Sequence, residues 1–315
     1  MQPHVLIIGC GDLGSEVAKR LVRMDCQVTG VKRSSADIPG ITVISADVTA
    51  PASLTFLSTM KPDILVYCVA AGEQTDEQYK AQYVDGLNNI LHTQKDNANL
   101  KHVFFVSSTR VYGQHSDVLI DETVTAIPCD FGGERLLQAE QLLVKSVNGG
   151  LDSKLDSKLD STKPGNLCNF NSTILRLSGI YGPGRLRMIK LAETANWPTQ
   201  DSWSNRIHRD DAAAFITYLI QNVLKGNVIQ DCYIVTDSSP VTQYEVLDWL
   251  AGQLHVPKPE TGEDGVSSVD KSKIKGKRLS NAAMLASGFK MQYPDYRAGY
   301  SELLASIQSS GTDHD

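Results

Sequence analysis

Val5-Leu-Ile-Ile-Gly-Cys-Gly-Asp-Leu-Gly-Ser-Glu-Val-Ala-Lys-Arg-Leu-Val22 decides the fold. Val5 to Ile8 is a short apolar, β-branched run, the pattern of a strand buried on both faces of a parallel sheet. Ser15 to Val22 carries apolar residues at helical spacing. Between them stands Gly9-Cys-Gly11-Asp12-Leu13-Gly14, a glycine turn that predicts a strand–turn–helix unit able to receive a pyrophosphate. Gly9 permits the tight turn, Gly11 lets backbone approach phosphate, and Gly14 allows close helix–strand packing. The helix N-terminus offers free N–H groups and the positive end of its dipole.

Strand-like runs continue at Gln27–Val31, Val43–Val48, Ile64–Gly72 and Val103–Ser108, with helical stretches such as Tyr79–Gln94 between them. This alternation predicts an α/β Rossmann fold, a doubly wound parallel sheet whose ligands bind beyond the strand carboxyl ends. The position after the second strand usually carries an acid that accepts from the adenosine ribose. Here it reads Lys32-Arg33-Ser34-Ser35, with no acid before Asp37. Two cations and hydroxyls suit a 2′-phosphate, so NADP is favoured over NAD; a solvated basic loop is the plain alternative.

The chain has 315 residues, enough for one large or two modest domains at about 150 residues each. A net charge of −6 argues against nucleic acid as the main partner. No apolar run approaches the roughly 18 residues of a membrane span, and the N-terminus lacks the features of a signal peptide. Six cysteines stand singly at 10, 26, 68, 129, 168 and 232, a spacing that fits reduced cytoplasmic thiols and no metal site. Leu151-Asp-Ser-Lys repeats through Ser161, and with Asn148-Gly-Gly150 and Pro164-Gly165 around it marks 148–165 as a low-complexity insertion. Residues 308–315 read as a frayed tail.

Val106-Ser-Ser-Thr-Arg-Val-Tyr-Gly113, Leu177-Ser-Gly-Ile-Tyr-Gly-Pro-Gly-Arg185 and Asn205-Arg-Ile-His-Arg-Asp-Asp-Ala212 follow one another as in extended short-chain dehydrogenase/reductases, the NAD-dependent epimerase/dehydratase superfamily. Lys277-Arg-Leu-Ser-Asn281, Gly288-Phe289 and Tyr293-Pro-Asp-Tyr-Arg-Ala-Gly-Tyr300 resemble its atypical YeeZ-like subgroup. The resemblance spans about residues 4 to 304. It implies a dinucleotide-binding domain over 1–178 with a return segment at about 205–237, and a smaller α/β substrate-side domain from 179–204 and 238–304. It further implies that Asp47 and Val48 border the adenine, that Val69, Ala70, Ala71 and Gly72 line the cofactor cleft, and that Ile180 and Tyr181 lie close to the nicotinamide. Ser108, Thr109, Tyr181, Arg185 and His208 would face substrate.

One departure stands out. The superfamily's Tyr-x-x-x-Lys pair should precede the helix Arg135–Glu140, where Phe131-Gly-Gly-Glu-Arg135 stands instead. Phenylalanine has no ionisable proton, and arginine stays charged, so neither shuttles a proton; Arg135 can still donate to a ribose. Either another group (Tyr112, Tyr181, His208 or Glu134) serves as acid, with Tyr181 the first choice, or the protein binds NADP(H) without fast turnover, or the alignment is shifted. If the backbone register is kept, Phe131→Tyr with Arg135→Lys should create hydride transfer.

For His208 a structural role competes with a catalytic one, and for Arg185 and Arg187 an exposed-loop role competes with gripping an anion. Asp210 or Asp211 reads as an N-cap of the following helix. The sequence therefore predicts a monomeric or homodimeric NADP- or NAD-binding protein. It would be an oxidoreductase or epimerase-type enzyme on a small or nucleotide-linked carbonyl or hydroxyl, or alternatively a catalytically weak NADP(H) sensor. Fold alone does not decide between them.

Overall fold

The computed structural model describes residues 2–34, 36–116, 118–149, 170–194, 197–259 and 274–311. The Leu151–Ser161 repeat, Cys168 and the tail residues 312–315 lie outside them. In chain order the elements are β1 (His4–Ile8), α1 (Asp12–Val22), β2 (Gln27–Lys32), β3 (Thr42–Ser45), a 3-10 stretch Pro51–Thr59, β4 (Ile64–Tyr67), α2 (Asp76–Tyr79), a π turn Lys80–Asp85, α3 (Gly86–Thr93) and β5 (His102–Ser108). There follow β6 (Leu119–Ile120), α4 (Phe131–Gly149), β7 (Asn171–Leu177), β8 (Gly179–Tyr181), α5 (Arg187–Ala192), β9 (Trp203–Ser204) and β10 (Arg206–His208). The last are α6 (Arg209–Leu224), β11 (Cys232–Val235), β12 (Val241–Thr242), α7 (Gln243–Leu254), β13 (Arg278–Leu279), α8 (Ala282–Ala286) and α9 (Tyr296–Gly311).

Seven strands form one sheet in the order β11-β7-β5-β4-β1-β2-β3. The pairs β1–β2, β1–β4, β2–β3 and β4–β5 are parallel, with Ile8 opposite Val31 on one side and Tyr67 on the other. The chain thus winds outward in both directions from β1, and the reversal lies between β1 and β4. In such sheets a dinucleotide bridges the reversal at the strand carboxyl ends. The predicted Rossmann sheet is therefore present. β1 and β4 owe their place to continuous apolar runs: Val5 to Ile8 and Ile64 to Tyr67 are fully buried. α1 covers the sheet with Leu13, Val17, Ala18 and Leu21, spaced to share one face. The π turn widens the helical run after β4, and the buried Gln82 there gives its carbonyl to the hydroxyl of Tyr67.

The chain divides into two compact units, the first from residues 1–113, 126–176 and 213–233, the second from 114–125, 177–212 and 234–315. The second unit holds three strand pairs, β10–β8, β12–β9 and β13–β6. Its core gathers Tyr181, Ile189, Val246, Leu247, Leu250, Tyr296, Tyr300 and Leu303 from β8, α5, α7 and α9.

Candidate functional site

The glycine turn of the first unit is built as the phosphate cradle requires. Gly9 has φ +91°, a conformation in which a side chain is strained, and a Cβ there would overlap the carbonyl of Cys68. A Cβ at Gly14 would overlap the carbonyl of Gly9, so this glycine brings α1 against the turn. Gly11 differs: a Cβ there meets nothing within 4 Å, at an ordinary φ of −86°. Gly9 and Gly14 are thus demanded by the protein itself, whereas Gly11 leaves open space above the N-terminus of α1. Among the described residues no side chain caps that terminus. The first N–H groups of a helix have no partner within it, so α1 presents donors and positive dipole toward that space.

Around this cradle the carboxyl ends of β2, β4 and β5 present the residues expected from sequence. Arg33 and Ser34 are exposed after β2, and Lys32 is half-buried. The Arg33 guanidinium reaches across to the loop after β4, where its Nη2 would lie 3.7 Å from a Cβ on Gly72. In that loop Val69 is half-buried and Ala70 is exposed. The Ala71 amide bonds the Tyr83 hydroxyl, whose pKa burial pushes up to about 12. Asp47 spends one carboxylate oxygen on the amide and hydroxyl of Thr49, at 2.9 and 2.8 Å. Val48 is buried, and its carbonyl accepts from Asn89.

At the end of β5, Ser108 accepts at Oγ from the Arg110 amide at 3.2 Å, which leaves its own proton available. Thr109 is buried beside it. Phe131, in the expected tyrosine place, stands edge-on to Tyr79 with centroids 5.5 Å apart, and the Arg110 guanidinium lies over its ring at 5.2 Å. Arg135, in the expected lysine place, is tied to Asp76 by two bonds of 2.7 and 2.8 Å and to Gln138 by a third of 2.9 Å. Its guanidinium thus holds α4 to α2, a role the sequence reading did not foresee.

Sequence reasoning also missed the buried group Arg176, Glu140, Tyr112 and Ser107. Arg176 donates to both Glu140 oxygens (Nη2 to Oε2 2.6 Å) and to the Tyr112 hydroxyl at 2.5 Å, while Ser107 donates to Glu140 at 2.6 Å. This charge-assisted network fixes α4 against β5 and β7. Tyr112 is fully buried within this network, and that burial withdraws it from the candidate acids. The network's signal was a glutamate at a helix position that should be apolar, and an arginine inside the strand run Thr173–Leu177.

In the second unit Tyr181 is 4% exposed, its ring against Tyr300 at 4.4 Å and edge-on to His208 at 5.2 Å. Its hydroxyl crowds Gly299, where a Cβ would overlap it, and burial raises its pKa far above the usual phenol value. Expected as the substitute acid, Tyr181 is instead a core residue, because α9 packs over it. His208 is likewise buried; its Nδ1 accepts from the Asp210 amide at 3.2 Å, and burial lowers its pKa, so it stands neutral and structural. Asp210 and Asp211, expected at the cap, lie inside the first turn of α6, which begins at Arg209, and the Asp211 carboxylate receives the amides of Gln292 and Tyr293 at 2.9 and 2.8 Å. Ile180 is half-buried opposite Ile207, and Arg185 is exposed. Among the described residues no group of His, Cys, Asp and Glu is placed to hold a metal ion, and no helix is long and apolar enough to cross a membrane.

The model of the NAD dependent epimerase/dehydratase family matches residues 5–133. A search of the curated proteins finds no match by sequence. Among solved structures, one from Methylobacillus flagellatus, described as of the NAD-dependent epimerase/dehydratase type, is 42% identical, with 98% of this chain and 100% of that chain covered and a TM-score of 0.79. Helicobacter pylori ADP-L-glycero-D-manno-heptose-6-epimerase is 16% identical over 98% of this chain and 96% of its own, with a TM-score of 0.72. A Bordetella bronchiseptica enzyme in complex with NAD and UDP is 17% identical over 99% and 96%, with a TM-score of 0.70. These last two share the fold. With the glycine turn, the parallel sheet and a 42% identical relative covered from end to end, the chain belongs to the NAD-dependent epimerase/dehydratase family.

Proposed function

We propose that this protein is an NADP(H)-preferring oxidoreductase or epimerase-type enzyme acting on a small or nucleotide-linked carbonyl or hydroxyl compound. The observation that carries the reading is the open cradle at Gly11 with Arg33 reaching toward Gly72 on its far side. The α1 N-terminus, above which Gly11 leaves room, would hold the pyrophosphate, and Arg33, with Lys32 and Ser34, the 2′-phosphate. A bound nicotinamide supplies hydride acceptance and return. Ser108 keeps a donatable proton for a substrate oxygen. Val69 and Ala70 give the cofactor cleft an apolar wall.

A sensor of the NADP(H) pool is the second reading. It is favoured by Phe131, which offers no acid, and by Tyr181, whose phenol is committed to the core. Turnover decides between them. NADPH oxidation is followed by absorbance against a panel of sugar-nucleotide and small aldehydes and ketones. Saturable turnover that Ser108→Ala abolishes supports the enzyme. Tight NADPH binding with no turnover across the panel supports the sensor.

A further inference from the structure

At the start of α4, beside Phe131, a guanidinium packs against the helix backbone. Gly132 is buried in the first turn of α4, and a Cβ on it would overlap Arg110 Cζ and lie 2.6 Å from Nη1 and 2.7 Å from Nε. The glycine makes room for the arginine. Arg110 is held at two of its three nitrogens: Nε donates to both oxygens of Asp130 at 2.9 and 3.0 Å, and Nη1 to Gln74 at 2.9 Å and the Tyr79 hydroxyl at 2.8 Å. The rings of Tyr79 and Phe131 face its Cζ at 5.1 and 5.2 Å. Asp130 is itself fixed as the acceptor of the Gly133 amide. Nη2 makes no hydrogen bond among the described residues, and the side chain keeps 30% of its exposure. A rigid cation therefore keeps one unspent donor edge, two residues from Ser108 at the carboxyl end of β5. That end lies on the opposite side of β1 from β2 and Arg33, the side that receives the nicotinamide half if Arg33 takes the adenosine half.

We propose that Arg110, and not Arg135, supplies the positive charge at the reacting end, with Nη2 holding the substrate oxygen that turns negative as a carbonyl is reduced. Bound nicotinamide would supply the hydride that forms the new C–H bond and would itself be oxidised, while the π pair of the carbonyl would move onto the oxygen beside Arg110 Nη2. A fixed guanidinium neutralises that oxygen until water delivers the proton. A preorganised charge at this place is the kind of stabilisation that compensates for a missing acid. The arrangement also gives Phe131 a purpose, as one wall of the slot that keeps the guanidinium in place.

This inference rests on the NADP(H) reading, and the test separates the two. Sulfite adds through sulfur to the oxidised nicotinamide ring, forming a C–S bond and a dihydropyridine with no leaving group. A negatively charged group then sits where a substrate would. The dihydropyridine is followed by its near-ultraviolet absorbance in the full-length protein saturated with NADP+. The wild type should form the adduct at sulfite concentrations about ten- to a hundredfold lower than free NADP+ requires, the effect of one charge-assisted contact. Arg110→Gln should bring that advantage close to nothing. Gly132→Ala, which keeps the charge and pushes the guanidinium aside, should lose most of it, with NADP+ affinity within about threefold of wild type in both. Failure to bind NADP+ at all would overturn the cofactor reading and this inference with it. Normal NADP+ binding with an adduct no tighter than in free solution, or unchanged in both variants, overturns the role of Arg110 alone.

Discussion

Gly9 and Gly11 stand two residues apart, and the structure predicts opposite consequences for filling them. At Gly9 the left-handed φ costs any L-residue about 1–2 kcal/mol. The new Cβ would also meet fixed backbone, with the Cys68 carbonyl carbon at 2.5 Å and the Val69 nitrogen at 2.7 Å, so β1 and β4 must part to admit it. Gly9→Ala should therefore cost on the order of 3–5 kcal/mol, a large share of a typical stability. At Gly11 there is neither clash nor strain, only a weaker cap at the N-terminus of α1, worth about 0.5–1 kcal/mol. Gly11→Val should fold, yet its side chain fills the space above the helix N-terminus, where phosphate contacts of about 1.5–3 kcal/mol are made. Urea unfolding and fluorescence titration with NADPH read the two effects separately. Gly11→Val should lose affinity at least about tenfold with near-native stability. The reasoning is refuted if Gly11→Val binds NADPH as wild type does, or if Gly9→Ala unfolds at the wild-type midpoint.

Arg33→Ala should weaken NADPH binding about tenfold and leave NADH binding unchanged, so that the preference between the two cofactors collapses in parallel titrations. Burial in the second unit raises the Asp237 carboxyl to about 7, against opposing pulls from Arg206 and the Ser239 amide. The unfolded chain, near 3.8, releases this proton first, so the group erodes stability as pH rises from about 4 to 7 and no further above. Asp237→Asn should thus gain about 2–3 kcal/mol relative to wild type between pH 5 and pH 8 in urea unfolding, and an equal difference at both pH values would contradict the assignment. Glu140→Gln leaves the Arg176 guanidinium buried without its carboxylate and should cost about 3–5 kcal/mol, measured by the same unfolding.

What the sequence made legible is what short-range chemistry determines. The runs Val5–Ile8 and Ile64–Tyr67 are apolar throughout because both faces of the sheet are covered, and the glycine turn follows directly from β1. The separate roles of the three glycines came from backbone geometry that the spacing already implied. Arg110 was not legible, although it lies inside a quoted motif. Its partners Gln74, Tyr79 and Asp130 come from two other segments, and nothing local to Arg110 signals their convergence. Tyr181 misled for a related reason. Its strand is three residues long, too short for alternation to say which face is covered, and α9, which covers it, begins more than a hundred residues later. Arg135 was read by its offset from Phe131, whereas the bidentate pull of Asp76 on α2 decides where its guanidinium goes.

The most direct test of the account is a calorimetric titration of the wild-type protein with NADPH and NADH at one ionic strength. The glycine cradle and the cationic end of β2 predict one site per chain that binds both, NADPH at least about tenfold more tightly. Binding of neither cofactor, or equal affinity for the two, would contradict it.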